Sequence, residues 1–113
     1  MLDMMDHLDM AAMDDLRALM GDEFQTLVDT FYSDSVLRIE AIKLAVESEN
    51  PDFIYLAAHD FKGSSSNMAA LKLADLCRGM EVIARSRNIE QAKQYLLWIE
   101  EEFLDVKIAM EAL

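Results

Sequence analysis

Proline, glycine and cysteine are all scarce in this 113-residue chain, which has one Pro, three Gly and one Cys. A lone cysteine, Cys77, can form neither an internal disulfide nor a cysteine-based zinc site, which fits a reducing compartment. Basic side chains are also few, 10 against 22 acidic ones, for a formal charge of -12. Nucleic acid or an anionic membrane surface would be repelled over most of such a molecule, so neither is expected as a partner. A basic or neutral protein surface is compatible. No apolar run reaches the length of a membrane span, and the first residues, Met1-Leu2-Asp3-Met4-Met5-Asp6, are acidic where a secretory leader would be basic. The expectation is a soluble cytoplasmic protein. With 53% hydrophobic residues and little low-complexity sequence, residues 1–113 are expected to form one domain around one core despite the charge.

The sparse punctuation separates segments of helical period, so the fold class predicted is all-α. Gly21-Asp22 divides a short Met-rich segment, with Leu8, Ala12, Leu16 and Leu19 at helical spacing, from a long one carrying Phe24, Leu27, Val28, Phe31, Ile42 and Val46. Asp22, with Gln25 three residues on, has the pattern of an N-cap. At Glu49-Asn50-Pro51-Asp52, Asn50 can cap a new helix whose first position is Pro51, where a missing N–H costs nothing. That helix runs towards Ser64-Ser65-Ser66-Asn67; another follows from about Ala70 to Arg85, with Leu73, Leu76, Cys77, Met80 and Ala84 on one face. Ser86-Arg87-Asn88 has turn composition. Beyond it Ala92, Leu96, Ile99, Phe103, Val106, Met110 and Leu113 alternate steps of four and three, the seam of helices packed at a shallow angle. Short turns favour antiparallel neighbours. The architecture expected is an up-down-up-down four-helix bundle with a short additional N-terminal helix laid across one end. Six of the nine methionines fall in the first 20 residues, where they are expected to fill gaps over that end.

Helical bundles often hold metals, but neither His7 nor His59 has a Glu three residues before it, so a Glu-x-x-His di-metal site is excluded. Glycine-rich phosphate loops are missing, leaving no visible means of binding ATP. Neither a cofactor nor a metal site is expected. One place stands out. Ile54, Ala58, Phe61, Ser65 and Met68 form an apolar stripe, and His59 lies about 160° around the helix from Phe61, facing out. Lys62, Gly63 and Ser66 share its face, with Asp52 and Tyr55 on the preceding turns. A neutral imidazole nitrogen is a good nucleophile towards phosphorus near neutral pH, with Lys62 available to the phosphoryl oxygens. Taken without context, an exposed helical histidine is ordinarily just a solvated side chain. Gly63 reads either as clearance above the ring or as a C-cap ending the helix.

The run from His59-Asp60-Phe61-Lys62-Gly63-Ser64-Ser65 through Leu76, Cys77 and Met80-Glu81 closely resembles the signature of histidine phosphotransfer (HPt) domains, and the likeness covers about residues 9–107. The resemblance implies a stand-alone four-helix HPt protein with His59 as phosphoacceptor. It also implies Lys62 as the charge beside His59, Gly63 as clearance, and Ser64 and Ser65 as a turn closing this face. Glu81 matches a residue that approaches the ring from the neighbouring helix, where its carboxylate would hold the Nδ1 proton and leave Nε2 free; the alternative is an ordinary ion pair between Glu81 and Arg85. Arg78 and Arg85 either pair with Glu81 or, with Tyr55 and Ser66, meet the partner. The implied partners are receiver domains of a hybrid sensor kinase and of response regulators, which would supply the metal ion, and the chain would act as a monomeric carrier between their aspartates rather than as an enzyme with kinase activity. The competing reading is a bundle that binds or sequesters a receiver or another regulator without phosphotransfer, which the intact His-Lys-Gly triplet disfavours. Cys77 is expected in the core and His7 as an idle surface residue. Ala69 stands where the family commonly has Gly, so Asn67 is expected to take the left-handed conformation of that turn. The charge distribution agrees with a docking face here: residues 1–58 carry a net -10 and residues 94–113 a net -4, whereas residues 59–93 carry +2.

Overall fold

The computed structural model describes residues 7–113, so the acidic start and Met1, Met4 and Met5 lie outside the described residues. A short helix α1 (Met10–Met20) and a 3₁₀ turn (Gly21–Glu23) lead into four longer helices: α2 (Phe24–Glu47), α3 (Pro51–Asn67), α4 (Leu71–Arg85) and α5 (Ile89–Glu111). Helices α2 and α4 each pack against both α3 and α5, which gives a closed up-down-up-down bundle. Its core follows the predicted stripes. Ile54, Ala58, Phe61, Ser65 and Met68 of the α3 stripe are all buried, as are Cys77, Ile99 and Phe103 from the facing helices.

The three turns of the bundle are built alike. Each helix ends with a residue at positive φ, Glu49 (55°), Ala69 (60°) and Arg87 (60°). In each turn the amide of the next residue reaches back to the carbonyl five positions earlier: Asn50 to Ala45, Ala70 to Ser65 and Asn88 to Ile83. These are Schellman motifs. The residue that closes each motif is also the N-cap of the following helix. Asn50 Oδ1 accepts from the amides of Asp52 and Phe53 at 3.1 and 3.2 Å, and Asn88 Oδ1 from that of Gln91 at 3.0 Å; Ala70 has no side chain to do so. In the α3–α4 turn, therefore, it is Ala69 and not Asn67 that is left-handed, while Asn67 is the last helical residue. The predicted cap at Asp22 is also displaced. Asp22 lies in the 3₁₀ turn, α2 begins without a side-chain cap, and Gln25 bonds Asp29 one turn on.

The segment before α1 is fastened to the bundle. Asp9 caps α1 through its carboxylate, and its own amide donates to the Ala69 carbonyl at 2.8 Å, which ties the N-terminal segment to the strained turn. Leu8 and Met13 are fully buried, with Met10 and Leu16 packed alongside. Leu19, expected on the same apolar face, is 81% exposed, because Leu16 is the last side chain of α1 that reaches the core. His7 overturns its prediction outright. It is buried, and its Nδ1 lies 2.6 Å from Oε2 of buried Glu102 on α5. Ninety-five residues separate the two, and local spacing carries no sign of the contact.

Candidate functional site

The face of α3 opposite its apolar stripe, together with the adjoining edge of α4, holds the predicted residues. Burial of Ile54, Ala58, Phe61 and Ser65 fixes the rotation of α3 and turns His59 outward, with 55% of its side chain exposed. Glu81 comes from α4. It is buried, beside Met80 and one turn beyond Cys77, and its two carboxylate oxygens divide between two partners. Oε1 lies 2.6 Å from the Lys62 ammonium and Oε2 lies 3.3 Å from His59 Nδ1. With its proton on Nδ1, the imidazole donates to Glu81 and keeps its in-plane lone pair on Nε2. Burial pushes the Glu81 carboxyl up, but the hydrogen bonds and charges of Lys62 and His59 together outweigh this and hold it below the usual carboxylate value. Glu81 is therefore an anion at neutral pH, and its ordinary pairing with Arg85 does not form.

Arg85 instead serves Tyr55. Its Nη2 donates to the Tyr55 hydroxyl at 2.8 Å, and its guanidinium carbon lies 4.5 Å from the centroid of the same ring. Tyr55 in turn stacks on His59, with planes 11° apart and centroids 5.9 Å apart. Arg78 pairs with Asp75, one turn before it on α4, rather than with Glu81. Ser66 is exposed on the last turn of α3, and Ser64 and Ser65 are helical residues, not a turn, with Ser65 buried.

Gly63 lies within α3, four residues before its last residue, so it is not a C-cap. A Cβ built there meets nothing within 4 Å. Gly79 differs in kind, since a Cβ on it would come within 2.5 to 2.8 Å of the Tyr95 ring of α5; its missing side chain lets that ring pack between the helices. Cys77 is fully buried, and burial pushes its thiol up to about 12, with the Glu81 charge adding and Lys62 opposing. It stays a neutral thiol in the core and is no nucleophile.

A second ionic cluster lies apart from His59. His7, Glu102 and Asp105 have ligand atoms within 4.8 Å of one another, a donor set of metal-binding type. The Lys72 ammonium already faces Glu102 at 3.8 Å, and the His7 contact occupies its other oxygen. Lys72 precedes Glu81 by nine residues, roughly 13 Å along α4. Composition alone does not reveal this cluster. Its only local sign is a Glu beside Phe103 on the buried side of α5. Among the described residues no helix is long and apolar enough to cross a membrane.

The Hpt domain family model matches residues 26–113. Among solved structures, the chain is similar to histidine-containing phosphotransfer protein B (HptB) from Pseudomonas aeruginosa PAO1, with 35% sequence identity and a TM-score of 0.89 over 94% of this chain and 92% of that one. No curated protein matches it by sequence.

Proposed function

Since the chain belongs to the Hpt domain family, we propose that it relays a phosphoryl group between receiver-domain aspartates through His59. Nε2 attacks the phosphorus of an aspartyl phosphate on the donor receiver. The N–P bond forms as the P–O bond to the aspartate breaks, and the carboxylate leaves with the bonding pair. The Nδ1 proton stays on the ring. In the second half-reaction an aspartate of another receiver attacks the same phosphorus, and Nε2 departs as a neutral nitrogen. No proton needs to move between protein and solvent in either direction.

The observation that carries this reading is the division of the Glu81 carboxylate between His59 Nδ1 and Lys62. One buried anion fixes the tautomer that leaves Nε2 nucleophilic, and also holds an ammonium on the face where phosphoryl charge arrives. Gly63 keeps the approach open one turn beyond the ring, and exposed Ser66 and Arg78 border the docking face. The net +2 of residues 59–93 within an otherwise acidic chain favours a partner bearing carboxylates and a phosphoryl group there.

The decisive experiment follows acid-labile label from phosphorylated receivers onto this chain. His59→Gln keeps a polar side chain on an exposed helical position, so it folds normally yet neither accepts nor passes on phosphate. Label retained at wild-type level in that variant would place the chemistry on another residue.

A further inference from the structure

Tyr55 and Arg85 belong to the docking face by position, yet both are already engaged inside the chain. The Tyr55 ring lies against one face of the His59 imidazole in a near-parallel stack, with a centroid separation of 5.9 Å, within the range of offset-stacked rings. They sit four residues apart on α3, the spacing that brings side chains together on one helix face. Arg85 reaches across from α4 and grips Tyr55 twice, by its hydrogen bond to the hydroxyl and by its cation over the ring. Glu81 constrains the imidazole through a single contact at the ring edge. A ring held only at one edge nitrogen remains free to tilt about that contact, and tilting swings the Nε2 lone pair away from an incoming phosphorus.

We propose that Tyr55, locked by Arg85, is a positioning residue that fixes the plane of the His59 imidazole before any partner arrives. Glu81 sets which nitrogen is nucleophilic; the Arg85–Tyr55 column sets where that nitrogen points. The inference rests on the reading of His59 as phosphoacceptor. It differs from a docking role because its effect persists when no receiver is present.

Phosphoramidate separates the two, since it phosphorylates histidine without a protein partner. Nε2 forms the N–P bond, the P–N bond of the reagent breaks, and ammonia leaves with that electron pair. Tyr55→Leu should slow labelling of His59 on the order of tenfold, and Tyr55→Phe, which keeps the ring, should stay within about twofold of wild type. In the Leu variant the side-chain coupling constants of His59, read by NMR, should average over several rotamers, a signature that loss of a docking contact would not produce. Labelling of Tyr55→Leu at the wild-type rate overturns the proposal, even if transfer from a receiver is impaired. So does an equal loss in Tyr55→Phe. Should Tyr55→Leu fail to fold, Arg85→Gln releases the column, and several-fold slowing supports the proposal while wild-type labelling refutes it. Failure of the underlying reading looks different: wild-type protein would still take phosphoramidate label on exposed His59 but none from a phosphorylated receiver, whatever stands at position 55.

Discussion

Gly63 is a glycine with no structural need to be one. It has helical backbone, its neighbours leave a Cβ free, and a mid-helix glycine costs about 0.5 to 1 kcal/mol relative to alanine. The proposed clearance above His59 accounts for that cost. Gly63→Gln should therefore keep or raise the melting temperature, by the equivalent of somewhat under about 1 kcal/mol, while slowing phosphotransfer roughly a hundredfold by displacing the incoming aspartate. Thermal unfolding and single-turnover transfer on one preparation check both signs, and a destabilised variant with unimpaired transfer would contradict the clearance role. Gly63 also shows how far local spacing reads: it places residue 63 beside the imidazole but does not decide between clearance and a helix cap. That decision comes from Ser65, whose burial continues the α3 stripe past Gly63 and whose carbonyl accepts from Ala70 in a cap with its left-handed residue at Ala69, six residues beyond Gly63.

At the scale of elements, the four-helix bundle keeps glycine and positive φ apart, with Gly21 ahead of it the exception. Two of the chain's three glycines stand inside helices, and the three bundle turns give positive φ to Glu49, Ala69 and Arg87. Each non-glycine residue in that region carries a steric penalty of roughly 1–2 kcal/mol, partly offset in a glycine by greater chain entropy when unfolded. Glu49 and Arg87 are exposed, so Glu49→Gly and Arg87→Gly should each stabilise the fold by up to about 1 kcal/mol, and the double variant should show their sum because the turns lie in different connections. Chemical denaturation midpoints measure this; a loss in either single variant would mean that the side chain contributes more than its strain. The helices themselves were legible because Pro51, Asn50 and the steps of four and three in α3 and α5 are local signals. The left-handed residue of the α3–α4 turn was not. Asn tolerates positive φ better than Ala, so propensity points to Asn67, but hydrogen bonding from Ala70 and Asp9 to the turn sets its register at Ala69.

Across the whole molecule, the contacts that sequence cannot reveal are those between distant segments. Tyr55 and Arg85 are 30 residues apart and His7 and Glu102 are 95 apart, so neither pairing follows from periodicity. The second has a measurable consequence. Burial pushes the Glu102 carboxyl above its ordinary value, against the opposing pull of His7 and Lys72 and with help from Asp105. A carboxyl raised in the folded state stabilises the fold while protonated, and that contribution is lost as pH rises from the ordinary value of 4.5 through the raised one. Glu102→Gln removes this titration. The melting temperature of the variant should therefore gain on wild type as pH climbs through that window, and a difference that stays constant would contradict the assignment. The predicted reactive face makes a different demand on the molecule. If the chain relays as proposed, one imidazole at one exposed position offers a single berth, so donor and acceptor receivers would exclude each other and take turns. Such a carrier would have to let go between half-reactions, a shuttle whose throughput depends on release as much as on chemistry. An excess of idle acceptor would then throttle its own supply by occupying the berth at which the donor would unload.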